Sequence, residues 1–198
     1  QLAAAFLQAK QYPAAARSAR DWARVEPDNH AAHRFLARIY EAMGSWGPAL
    51  DSASRAAGLR PEDPDAWARL GRIQLRRHDR EKALAAFERA RSEGADAEVL
   101  LDLALARRLC GDHGGEVNAC FEATSLDPEW QTAWSRYAHA LAGTDRRSDC
   151  IAACDRALAL GPDAEVEALR AEVETSLPRE LSDRAACRRH AEQFSWRA

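Results

Sequence analysis

The sequence predicts an all-α fold, a solenoid of antiparallel helix pairs, and three observations carry the prediction. First, one set of residues recurs with a period of about 34. Trp67, Leu70, Gly71, Ala83, Phe87 and Ala90 form one copy, and His33, Leu36, Ala37, Tyr40, Gly44, Ala49, Ala53, Ala56 and Pro61 form the copy before it. Trp134, Tyr137, Ala138, Leu141, Cys150, Cys154, Ala157 and Pro162 form a later one. Second, alanine is used heavily while glycine and proline fall only at punctual places, which suits helices joined by short turns. Third, the spacing of Trp67, Leu70 and Gly71 puts them on one helical face, so each unit buries a stripe against its neighbours.

Residues 1–29 read as a partial unit: Leu2, Ala3 and Phe6 as the tail of one helix, then a full helix carrying Tyr12, Ala15 and Ala19. Pro13 stands at the start of that helix, where its missing N–H is harmless, and Pro27 and Asp28 end it. The unit 30–63 breaks at Gly44. The unit 64–96 is the cleanest, with Asp63 or Asp65 as the cap of its first helix and Glu93-Gly94 closing its second. The unit 97–130 is degenerate. Gly111, Ala123 and Pro128 fit, but Glu116 occupies a slot where alanine belongs. Gly114 and Gly115 each weaken the second helix by about 0.5–1 kcal/mol relative to alanine, so this unit is expected to be the least rigid. Its first helix admits two registers, with Leu100 or Leu101 in the core. The unit 131–164 recovers the pattern. Residues 165–198 read as a degenerate repeat and cap: Val166, Leu169 and Val173 continue the stripe to Pro178, and Ser182 starts a last helix ending near Phe194.

Composition narrows the class. The chain has 198 residues, 46% hydrophobic and 30% charged, with a formal net charge of −3, which is globular rather than disordered. Nearly all positive charge is arginine, the only lysines being Lys10 and Lys82. No stretch approaches the roughly 20 apolar residues of a membrane helix, so no membrane insertion is expected. The chain begins at Gln1 inside a repeat and reads as a processed product or a fragment of a longer protein, with or without a leader before it. Of the five cysteines, Cys120, Cys150 and Cys154 sit where the repeat wants a small apolar side chain; with Cys110 and Cys187 they indicate free thiols in a reducing cytoplasm.

Within a unit the large aromatic fills the gap between paired helices, and glycine or alanine four residues later lets the neighbouring backbone approach. Ala83 and Ala90 do the same on the second helix, with Phe87 as the knob between them. This pattern resembles the tetratricopeptide-repeat family over nearly the whole chain to about Ala164. The resemblance implies a right-handed superhelix whose first helices line a concave groove holding a partner's peptide or helix. Carried over slot by slot, it implies groove residues Arg34, Phe35, Arg38 and Glu41; then Asp65, Arg69, Arg72 and Arg76; then Leu101, Asp102, Leu105 and Arg108; then Arg136, His139 and Arg170. The family's clamp for a C-terminal carboxylate is not reproduced, because Arg38 and Arg72 stand where it uses asparagine.

Two readings of the arginine stripe stand side by side. In one, Arg34, Arg38, Arg69, Arg72, Arg76 and Arg136 pair with carboxylates of an acidic partner segment, since the guanidinium fork matches carboxylate geometry. Phe35, Leu101 and Leu105 then serve as apolar anchors. In the other, the arginines pair with local Asp and Glu, each pair contributing about 0–1 kcal/mol, and the apolar residues pack on the next helix. Cys150 and Cys154 lie one turn apart but lack the further ligands zinc needs, so core packing is expected and no metal or cofactor. The histidines form no HExxH, no phosphate loop is present, and no catalytic residue is assigned. Net charge and the lack of an aromatic stacking series argue against nucleic acid. The expected role is a noncatalytic interaction scaffold. Two alternatives remain open: a recruiting domain of a larger enzyme, since Arg188–Trp196 resembles the closing helix of GT-B glycosyltransferases, and a self-assembling scaffold forming a homo-oligomer.

Overall fold

A computed structural model describes residues 11–175, and every regular element among them is an α-helix. The ten described helices are α1 (Tyr12–Val25), α2 (His30–Ala42), α3 (Trp46–Leu59), α4 (Pro64–Arg76), α5 (Arg80–Ser92), α6 (Ala97–Leu109), α7 (His113–Leu126), α8 (Gln131–Ala142), α9 (Arg147–Leu160) and α10 (Ala164–Thr175). The first-helix tail read in residues 2–6, and the cap and glycosyltransferase-like segment read beyond Pro178, lie outside the described residues. The described residues form two compact units, divided between Ala119 and Cys120, inside α7.

In the first unit α2 pairs with α3 and α4 with α5, while α1 packs on α2, α3 on α4 and α5 on α6. In the second, α8 pairs with α9 and α10 packs on both. The core is built of small residues. Ala37, Ala49, Ala53, Ala57, Ala66, Leu70, Ile73 and Ala86 form one buried cluster, against which Tyr40, Leu50 and Trp67 pack. Ala15, Ala16, Ala19, Leu36 and Ile39 form another between α1 and α2.

Side-chain caps and left-handed turns set the helix ends. Asn29 and Asp96 accept the backbone N–H groups of Ala32 and Val99, and Asp63, rather than Asp65, caps α4 by accepting the N–H of Asp65 at 3.0 Å. Gly44 and Gly111 close α2 and α6 in the left-handed region, at φ 68° and 81°. The same closure recurs after α4, where His78 takes φ 65°. At all three turns the next N–H reaches back to a carbonyl five residues earlier: Ser45 to Tyr40, Asp79 to Gln74, Asp112 to Arg107.

A recurring hydrogen bond explains the aromatic ring at the head of three units. His33 Nε2, Trp67 Nε1 and Trp134 Nε1 donate to the carbonyls of Pro27, Pro61 and Pro128, each six residues earlier, at 2.7, 2.8 and 2.9 Å. The ring N–H thus ties each first helix to the turn that precedes it. Leu100 holds this slot in α6 and has no N–H to give. Trp67→Phe keeps most of the packing and removes the bond, so urea denaturation is expected to show a loss of about 0.5–1.5 kcal/mol.

The degenerate unit resolves in favour of one register: Leu100 is buried and Leu101 only partly so. Glu116 is buried, with its carboxylate 3.8 Å from Arg108 and 3.6 Å from His113, which lets an acid occupy an alanine slot. Gly115 has a packing reason beyond its helix cost. A Cβ there would lie 2.0 Å from the Asp112 carboxylate and 2.7 Å from Arg107 Cδ. Asp112 caps α7 through the Gly115 N–H, and Arg107 donates to the Gly115 carbonyl.

Candidate functional site

In the first unit the helices α2, α4 and α6 contribute one face, and their C-terminal ends enclose a recess of about 760 Å³. Its walls are Glu41 and Ala42 of α2, Trp46 at the start of α3, Arg72, Leu75 and Arg76 of α4, and Asp102, Leu105 and Leu109 of α6. The tryptophan and three leucines make it largely apolar, and Leu109 is 37% exposed.

The charged groups sort into paired and unpaired. Arg69 pairs with Glu41 across the gap from α4 to α2. Arg72 pairs with Asp102 and, at 3.0 Å, with Glu98, both on α6. Burial pulls the Arg72 guanidinium down, but Asp102, Glu98 and Asp96 outweigh it and hold its pKa above the ordinary value. These bridges tie successive first helices together. Arg76 lines the recess and makes no side-chain ion pair or hydrogen bond among the described residues.

The remaining sequence-predicted residues fall elsewhere. Arg34 donates to Asp63 at 3.0 Å and reaches Asp65 at 3.4 Å. Phe35 packs against the α1–α2 core, and the Arg38 guanidinium lies 5.8 Å from its ring centroid. Leu101 is partly exposed on α6, and Arg108 turns toward Glu116. In the second unit Arg136 and His139 are exposed on α8, and Arg170 pairs with Asp155 at 2.6 Å and Glu174 at 3.0 Å. Of the fifteen residues assigned to a groove, the recess gathers Glu41, Arg72, Arg76, Asp102 and Leu105. It adds Trp46, Leu75 and Leu109, which the slot-by-slot reading passed over. A signal for two of them was present: Glu41, Leu75 and Leu109 stand 34 residues apart in series, so they share one place in successive first helices.

The second unit has a smaller recess of about 330 Å³, where Leu141, Thr144, Arg147, Cys150, Leu169 and Glu172 meet. Its thiol is not poised for chemistry. Cys150 and Cys154 are fully buried, and burial raises both, Cys154 to about 12, so both stay protonated near neutrality. The described residues contain no group of three or more His, Cys, Asp or Glu placed to hold a metal ion. None of the described helices is long and apolar enough to cross a membrane.

No protein-family model and no curated protein sequence matches the chain. Solved structures do. MamA superposes with a TM-score of 0.74 at 20% identity, over 87% of this chain and 98% of that one. YrrB, described as a TPR protein with an unusual peptide-binding site, gives 0.74 at 12% identity over 87% and 89%. PilW, a type IV pilus biogenesis factor, gives 0.70 at 18% identity over 97% and 89%. The repeated small-residue seam, the paired helices and these superpositions agree on one architecture: the chain has the tetratricopeptide-repeat fold.

Proposed function

We propose that this protein is a noncatalytic interaction scaffold whose first-unit recess takes a segment of a protein partner. One observation carries the reading: an apolar recess of about 760 Å³ whose wall holds a guanidinium, that of Arg76, with no side-chain partner among the described residues. Apolar side chains of the partner would supply most of the free energy by leaving water, and a single charge-assisted bond would fix orientation. YrrB is described as having a peptide-binding site, which supports the same use of the fold here.

The site also narrows the expected acidic partner. Arg34, Arg69 and Arg72 already have carboxylate partners within the chain, so a uniformly acidic segment would have to displace them. One anionic residue beside apolar ones fits better. Binding of short synthetic peptides that vary in apolar and acidic content, followed by fluorescence anisotropy, tests this. Arg76→Glu is expected to weaken the best-binding peptide about tenfold or more, since a charge-assisted bond contributes about 1.5–3 kcal/mol. Arg136→Glu, in the second unit, should leave affinity unchanged. Equal effects of the two variants would remove the recess from the account.

A further inference from the structure

The turn that follows Arg76 has an unusual backbone. His78 sits at φ 65°, in the left-handed region that side chains rarely adopt. The turns one repeat to either side put glycine at the same place, Gly44 at φ 68° and Gly111 at φ 81°. All three close with the same backbone hydrogen bonds, so geometry alone asks for glycine at position 78. A side chain retained there against the backbone preference points to a use for that side chain.

Its surroundings say what the use is. Arg76, Arg77, His78 and Arg80 stand within five consecutive positions, with Asp79 the only acid among them. Arg77 is engaged with that acid, Nε to Oδ2 at 3.6 Å. Arg80 reaches back over the recess rim, its Nη1 donating to the Leu109 carbonyl at 3.3 Å. Leu109 itself lines the recess, so the turn is contiguous with the apolar floor. The Arg80 guanidinium keeps its other donors, and the His78 ring is exposed.

We infer that this turn is an anion-reading rim: Arg76, His78 and Arg80 recognise one anionic side chain, carboxylate or phosphate, of the partner segment whose apolar neighbours enter the recess. The inference rests on the recess reading and deepens it by naming the chemistry at one end of the bound segment. A planar guanidinium fork matches both anions, and the imidazole N–H adds a donor at the open edge.

The test takes the best-binding synthetic peptide in three forms, with glutamate, phosphoserine or glutamine at the anionic position. His78→Gly is expected to raise Tm, because it relieves the backbone, and to weaken the glutamate and phosphoserine forms about fivefold or more. Arg80→Gln should weaken the same two forms without raising Tm. The glutamine form should be indifferent to both variants. Tighter binding of phosphoserine would assign the rim to phosphate, and tighter binding of glutamate to carboxylate. Equal affinity for all three forms, or unchanged affinity in both variants, overturns the inference. If Arg76→Glu still weakens binding in that case, the recess reading stands while the rim falls. If no form binds the unaltered protein, both fall.

Discussion

Phe87→Ala is expected to cost about 3–5 kcal/mol, the largest single effect in the first unit. Phe87 is the bulkiest of the fully buried side chains. Its ring fills the space that Gly71 leaves on α4: a Cβ on Gly71 would lie 2.8 Å from the Phe87 ring. The corresponding slots elsewhere trade volume between the same two helices. In the pair α2–α3 they hold Ala37 and Ala53, and in α8–α9 Ala138 and Cys154, all buried. A larger first residue is therefore matched by a smaller second one. Gly71→Ala alone should overpack the seam and cost about 1–3 kcal/mol. Combining it with Phe87→Cys reproduces the pairing found at Ala138 and Cys154, so the double variant should be more stable than the sum of the single losses. Urea denaturation of the cycle measures this coupling, and hydrogen exchange should place the loss in α4 and α5. Strictly additive losses would refute the volume exchange.

Asp63→Ala is expected to cost about 2–3 kcal/mol. This one carboxylate caps α4, accepts from Arg34 Nη1 at 3.0 Å and lies 2.8 Å from His30 Nε2. Loss of an N-cap costs about 1 kcal/mol, and the charge-assisted contact adds a comparable amount after allowance for the partial exposure of Arg34. The same junction gives stability a pH dependence. Burial holds the His30 pKa below its ordinary 6.5, with Arg34 and Arg60 acting the same way and Asp63 opposing them. The unfolded chain therefore binds a proton at His30 more readily than the folded one, and stability falls as pH drops below 6.5. Asp63→Ala removes the opposing charge and should steepen that fall; His30→Gln should flatten it. Thermal melts across mildly acid pH read both, and parallel profiles for the three proteins would sink the assignment.

The fold was legible in the chain because a repeat seam constrains residue size at fixed intervals. Small residues such as Ala49, Ala83 and Ala157 must recur wherever backbones meet, and Gly44 and Gly111 must recur wherever a helix closes left-handed. The two turns differ from the one at His78 in sequence only, not in backbone, so that anomaly is invisible until φ is known. Glu116 shows the opposite case: its sequence reads as a defect, and the fold supplies Arg108 and His113 to accept it.

The candidate site was legible only in part. Arg72, Arg76 and Leu105 were placed in groove slots by the resemblance, and the recess holds all three. Which arginine is available for a partner could not be placed the same way. Arg69 finds Glu41 28 residues away, and Arg72 finds Asp102 30 residues away, across the contact between first helices. Such pairings depend on how far each helix is displaced and rotated against the next.

By itself the sequence determined the helical repeat, its period, its turns and its small-residue seam, because steric limits on backbone approach act slot by slot along the chain. Only the tertiary structure decided which charges neutralise one another, that Trp46, Leu75 and Leu109 converge on one recess, and that Arg76 stands there without a side-chain partner among the described residues. Those outcomes are set by distances between side chains of different helices, which packing alone brings together.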